Sequence, residues 1–178
     1  MFKTRLKFII QPAEINDAAI LADVHKENFF PSWGKEVFAN FLQQAQFVTF
    51  IAVLSDSTSC SENHKIIGFL VARQVLDESE LITLAVSPAY RNHKVASLLL
   101  EQLLQFLYRR HSRRLYLEVA ENNAAALALY KKFLFQKVGH RKGYYETKTG
   151  RVDALLLQRD FIHPKDSPSV LHKKIEIK

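Results

Sequence analysis

Cysteine is almost missing: Cys60 is the single one, and it stands in a polar loop. The chain therefore holds neither a disulfide framework nor a cluster of thiolates for a metal. That fits a reducing compartment, and a cytoplasmic location is the expectation. No base stands beside Cys60, which argues against a thiolate nucleophile. Long apolar runs are also lacking. None approaches the roughly 18 residues of a spanning helix, so no membrane partner is expected. The segment MFKTRLKFIIQPAEI has too short an apolar run and no small-residue cleavage site, and is not expected to act as a signal peptide. The seven histidines include no pair at zincin spacing with an intervening acid, so no metal site is expected. There is no internal repeat, no low-complexity segment and no recognised nucleic-acid motif.

Acid is in the minority. Lys and Arg number 25 against 18 Asp and Glu, a net charge of +7, and the sequence pI is about 9.5. Such a balance favours an anionic partner, either a phosphate-bearing cofactor or nucleic acid. The arginines gather at Arg109, Arg110, Arg113 and Arg114, at one helix end, where the dipole is explanation enough. Nucleic acid is therefore the weaker reading. Acid gathers at Asp77, Glu78 and Glu80, a group that would attract a basic acceptor peptide or form a plain polar hairpin. The 178 residues are 48% hydrophobic and 24% charged, the balance of one soluble domain with a proper core.

Residues Phe8 to Ile10 read as a first strand, Ile15 to Val24 and Lys35 to Gln44 as helices. Trp33, between the helices, is either a hydrophobic plug or part of a substrate wall. Phe47 to Leu54 and Ile66 to Val75 read as an antiparallel hairpin with a polar tip. Leu81 to Val86 is apolar throughout except Thr83, as a central strand would be. The helix after it places Val95, Leu98, Leu99, Leu103, Phe106 and Leu107 on one stripe. Arg114 to Val119 alternates, with Leu115, Leu117 and Val119 on one face and Tyr116 and Glu118 on the other. Asn122-Asn123 caps an alanine-rich helix ending near Phe133. Two strands follow, near Gln136 to Tyr145 and Asp153 to Arg159, turning at Lys148-Thr149-Gly150. The order implies an α+β fold with a mixed central sheet flanked by helices. The segment from Pro164 is expected to be peripheral.

The stretch SPAYRNHKVASLLL, Ser87 to Leu100, joins the apolar strand to the long helix. A strand, a tight loop and a helix N-terminus make an anion site, because the first helical amides lack internal partners and sit at the positive end of the dipole. Arg91, His93 and Lys94 stand at its mouth. A basic connection of no special use is the competing interpretation.

Three stretches carry a family resemblance: VLDESELITLAVSPAYRNHKVASLLL, LYLEVAENNAAALALYKKFLF and GYYETKTGRVDALLL. With these the chain resembles the GNAT acetyltransferases, and within them the RimI-type enzymes that acetylate the N-terminal alanine of a small-subunit ribosomal protein. The segment Phe30-Pro31-Ser32-Trp33 resembles that subgroup too. The resemblance runs from about Ile9 to Phe161. It implies one GNAT domain over residues 1–161 and a tail over 162–178. It implies acetyl-CoA as donor, with its pantetheine arm along Leu84, Ala85 and Val86 and its pyrophosphate on Asn92, His93, Lys94, Val95, Ala96 and Ser97. Asn123 would hydrogen-bond the arm, Glu118 would be the general base and Tyr130 the general acid. Two departures stand out. Lys94 and Leu134 occupy positions where the family has glycine, and glycine permits conformations that a side chain hinders.

The residue types suit acyl transfer to an amine. An α-amino group has a pKa of roughly 7.7–8, so a base must take its proton. Glu118 lies on the polar side of an apolar strand, where burial would raise its pKa; a salt-bridged surface glutamate is the alternative. Tyr130 would protonate the leaving thiolate, or simply pack in the core. Strand amides would stabilise the oxyanion. Tyr144 and Tyr145 either line the acceptor groove or pack on the sheet. Direct attack in a ternary complex is expected. The acceptor is expected to be a protein N-terminus, by resemblance a ribosomal one. A small amine or a lysine side chain, or a GNAT fold that only binds, are the competing functions.

Overall fold

The computed structural model describes residues 7–55, 65–147 and 150–163. Cys60, the Lys148-Thr149 turn and the segment from Pro164 lie outside them. Seven strands form one mixed sheet: β1 Phe8–Pro12, β2 Phe47–Leu54, β3 Ile66–Val75, β4 Glu78–Val86, β5 Arg114–Ala120, β6 Gln136–Thr147 and β7 Gly150–Asp160. Four helices accompany it: α1 Ala18–Lys26, α2 Lys35–Gln43, α3 Val95–Arg109 and α4 Ala124–Lys132. The spatial order is β1-β2-β3-β4-β5-β7-β6. Every neighbouring pair is antiparallel except β4 and β5, which run parallel.

The α+β mixed sheet agrees with the sequence pattern, element by element. Leu115, Leu117 and Val119 of β5 are buried and alternate with half-buried neighbours. The stripe on α3 differs: Leu98 and Phe106 are not among its buried residues. Leu98 is 41% exposed, and the buried face is Val95, Leu99, Leu100, Leu103, Leu104 and Leu107. The buried face therefore includes Leu100 and Leu104, which the expected stripe left out, so a second row of leucines reaches the sheet.

The sheet buries a core on each face. Leu81, Val86, Leu99, Leu103, Leu115, Leu117 and Tyr130 belong to the core on the α3 and α4 side. Leu21, Phe38, Ile51, Phe69, Val71 and Ala85 form the core beneath α1 and α2. At Gly68 of β3 an added Cβ would stand 2.9 Å from the carbonyl of Ala85 and 3.2 Å from Val95. The missing side chain lets β3, the end of β4 and the start of α3 close on one another.

β4 and β5 pair only at their beginnings, from Glu78↔Arg114 to Leu81↔Leu117. On the other side of β4, Val71 faces Thr83 and Ala72 faces Leu81, so Ile82 is an inserted residue. Such a bulge bends its strand and increases the local twist. The bulge falls where β4 leaves β5. Beyond it the two parallel strands diverge, and the Ile82–Val86 edge facing β5 has no strand partner.

Candidate active site

The site lies at this fork. Each arm runs into a helix N-terminus, β4 through a short loop into α3 and β5 through Glu121-Asn122 into α4. Leu84, Ala85 and Val86 occupy the unpaired part of the β4 arm. Their backbone donors and acceptors on the fork side are open to an extended ligand, as at a sheet edge.

Asn92, His93 and Lys94 form the exposed loop before α3, and Val95, Ala96 and Ser97 its first turn. No side chain caps this helix, so its leading amides are open to an anion. Asn92 and Lys94 both have left-handed backbones, with φ of 64° and 66°. Lys94 thus takes the conformation that glycine would take in its place, at a cost of about 1–2 kcal/mol. Its side chain points to solvent. Leu134 does the same with φ of 63°. There the Phe135 amide donates to the Tyr130 carbonyl and the Leu134 amide to the Lys131 carbonyl, both at 3.0 Å. This pair of bonds is the Schellman ending of α4. The Phe135 and Tyr130 rings pack at 5.5 Å across it. The leucine does not break the turn, and the turn fixes Tyr130.

Asn123 caps α4 by accepting from the Ala126 amide at 3.1 Å. That bond uses its side-chain oxygen; the residue is exposed, and its amide nitrogen is a donor.

Glu118 is the first residue of β5 beyond the last pair with β4. Its side chain is 17% exposed and meets Arg141 Nε at 3.1 Å. The Tyr144 phenol hydrogen-bonds it, and that bond, with some burial and the carboxylate charge, raises the Tyr144 pKa. Arg141 also lies over the Tyr144 ring, 5.2 Å from its centroid. Tyr145 packs edge-on to Tyr144 at 5.1 Å. Burial, then the charge of Glu118, pushes its phenol up to about 12. Tyr130 is 7% exposed, and burial followed by Tyr145 raises its phenol well above the ordinary range. Tyr145 thus feels the charge of Glu118 on one side and acts on the Tyr130 phenol on the other.

Tyr144 reaches Glu118 because β6 is irregular. Its register jumps between Arg141↔Ala154 and Tyr145↔Val152. The extra residues loop out at Gly143, which has φ of 56°. The Gly143 amide donates to Asp153 Oδ1 at 2.8 Å. Asp153 also accepts the Glu121 amide at its carbonyl, 2.9 Å away, so it ties the tyrosine bulge to the turn that leads to Asn123.

The loop between α1 and α2 is built on His25, which is 2% exposed. Its ring stacks on Phe29 at 4.4 Å and Trp33 at 4.6 Å. Its Nδ1 accepts the Trp33 amide at 3.2 Å. Burial lowers its pKa to about 4. Trp33 is thus a plug. The Arg91 guanidinium donates to Asn28 at 2.8 Å and joins this loop to the one before α3.

The acidic group is not a free patch. Asp77 meets Arg113 at 3.5 Å, Glu78 meets Arg114 at 3.6 Å and Glu80 meets Arg73 at 2.9 Å. These pairs favour the polar-hairpin interpretation over a steering surface. Asp153 lay in one of the three resemblance stretches without an assigned role; Arg141 and His25 carried no sequence signal, and each gains its place from register or packing.

Sequence and fold comparisons agree with the geometry. The Acetyltransferase (GNAT) family matches residues 18–135. The [ribosomal protein bS18]-alanine N-acetyltransferase of Escherichia coli strain K12 is 35% identical over 128 residues, which cover 72% of this chain and 80% of that protein. The crystal structure of the ribosomal-protein-S18-alanine N-acetyltransferase from Escherichia coli superposes with a TM-score of 0.80 at 28% identity, covering 91% of this chain and 99% of that one. Arabidopsis thaliana NAA60 in complex with acetyl-CoA has a TM-score of 0.77 over 86% of this chain and 98% of its own, and at 23% identity that likeness is one of fold. The family match spans residues 18–135 and so takes in both arms of the fork and both helices that follow them, and the chain belongs to the GNAT acetyltransferase family.

Proposed function

We propose that this protein moves the acetyl group of acetyl-CoA to the α-amine of a protein N-terminus, with the N-terminal alanine of ribosomal protein bS18 as acceptor. The observation that carries the reading is Glu118 at the vertex of the β4–β5 fork, held by Arg141 and Tyr144. The relatives' named acceptor supplies the rest.

The pantetheine arm lies along Leu84, Ala85 and Val86 as a substitute strand, with Asn123 donating from the other arm. The pyrophosphate sits on the amides of the Asn92–Ser97 segment, where the Lys94 ammonium adds charge from the side. The thioester carbonyl then points into the fork. Glu118, directly or through a water, takes a proton from the incoming ammonium. The free amine adds to the carbonyl carbon. A β4 amide holds the oxyanion. As the C–S bond breaks, the sulfur leaves as a thiolate. Tyr130 meets it with its hydroxyl. A buried phenol of raised pKa keeps its proton until the thiolate forms, so its first contribution is a hydrogen bond, with proton transfer following as the charge develops. The attached nitrogen then gives up its second proton, which restores the Tyr130 hydroxyl, and the acetyl group has passed directly from sulfur to nitrogen within a ternary complex. No acetylated enzyme forms without acceptor.

The test is a peptide panel with acetyl-CoA and the purified protein, read by mass spectrometry. A peptide with the bS18 N-terminus gains one acetyl group at its α-amine. The same peptide blocked at the α-amine but carrying a free lysine gains none. Acetylation of the lysine alone, or of neither, contradicts the reading.

A further inference from the structure

The geometry points to a divalent transition-metal site, for zinc, formed by Glu121, His140 and Asp153. These three are distant in sequence and come from three elements: the β5–α4 turn, β6 and β7. One ligand atom from each lies within 4.8 Å of the others. His140 Nε2 stands 3.0 Å from Asp153 Oδ2 and 3.7 Å from Glu121 Oε2. Zinc bonds of about 2.0–2.2 Å to nitrogen and oxygen place tetrahedral ligands roughly 3.3–3.5 Å apart. The first two spacings bracket that value. The third closes by rotation of Glu121, whose side chain is 54% exposed.

The arrangement is more than an ion pair. One ring nitrogen faces two carboxylates, and at 3.7 Å Glu121 is beyond hydrogen-bond reach of it. Asp153 is oriented beforehand: Oδ1 accepts from the Gly143 amide, which leaves Oδ2 to the site. Such outer hydrogen bonds aim a ligating carboxylate. Zinc binds the neutral imidazole of His140 at Nε2, and the ring keeps its one proton on Nδ1. Two carboxylates and one imidazole leave the fourth position open to water. The ion would join the turn leading to Asn123 to the hairpin that presents Tyr144, so the β5 arm of the fork stiffens.

The test uses metal-stripped full-length protein and zinc titrated against a chromogenic chelator. Wild type binds one zinc per chain, and zinc raises its melting temperature. His140→Ala weakens zinc binding at least 10-fold and abolishes the thermal shift. Glu121→Gln, an exposed and isosteric change, does the same while its metal-free melting temperature stays at the wild-type value. Absence of saturable binding to wild type overturns the proposal, as does a loss of less than 10-fold in both variants. Loss of binding in Cys60→Ser overturns it too, because the lone thiol would then be the ligand.

Discussion

Glu118 does not stand alone in the fork. Arg141 neutralises one side of the carboxylate, and Tyr144 hydrogen-bonds it and stacks beneath Arg141. Replacing Tyr144 by Phe removes a hydrogen bond to a charged group, about 1.5 kcal/mol, and keeps the ring. Steady-state kinetics should show kcat/KM for the acceptor falling about 10-fold, with the KM for acetyl-CoA unchanged. The buried His25 gives a second residue-scale prediction. In the folded protein its imidazole stays neutral down to about pH 4, whereas the unfolded ring takes a proton near 6.5. Between those values the unfolded state binds more protons, so folding stability is full above pH 6.5 and declines as the pH falls towards 4. The decline amounts to at most about 3 kcal/mol. Urea midpoints at pH 7.5 and pH 4.5 measure it, and His25→Asn removes that share of the difference. Glu118, Asn123 and Tyr130 could be proposed together because one contiguous stretch, LYLEVAENNAAALALY, carries all three. Tyr144 was a candidate and Asp153 lay in a resemblance stretch, but their contacts, and those of Arg141, come from the β5–β7–β6 register and a bulge, which no local pattern announces.

The two positions without the family's glycine are decided by the ends of helices. Lys94 precedes α3 and Leu134 follows α4, and both adopt a left-handed backbone. In the sequence they stood out because a side chain hinders conformations that glycine permits. Each backbone turns as glycine would, because the bonds around it dictate the turn: two Schellman bonds at Leu134, and the closure of α3 against Gly68 at Lys94. Leu134 is 73% exposed, so its side chain contributes little packing. Leu134→Gly relieves about 1–2 kcal/mol of left-handed strain and gives back roughly 0.5–1 kcal/mol in unfolded-state entropy. A net gain of about 0.5–1 kcal/mol should appear in urea unfolding, and a loss of stability would show that the leucine is not strained. Helices and strands were readable from their periods. The bulge at Ile82 was not, since one inserted residue in an apolar run changes no pattern.

On the scale of the whole molecule, the order of elements foretold the mixed sheet and the strand–helix–strand–helix centre. The departure of β4 from β5 after four paired residues was carried only by the family resemblance. A parallel pair could equally have remained zipped, which would leave no edge for an extended ligand. The sheet is thus two halves hinged at Leu81 and Leu117, with a core on each face to hold the opening. In the proposed reaction the donor lies along one arm and the acceptor meets Glu118 at the vertex. The most direct measurement is the turnover of Glu118→Gln with acetyl-CoA and the bS18 N-terminal peptide, at an acetyl-CoA affinity checked by calorimetry. A fall in kcat/KM of roughly 10²–10⁴ with the donor bound as tightly as by wild type is the result this account predicts; turnover within threefold of wild type would contradict it.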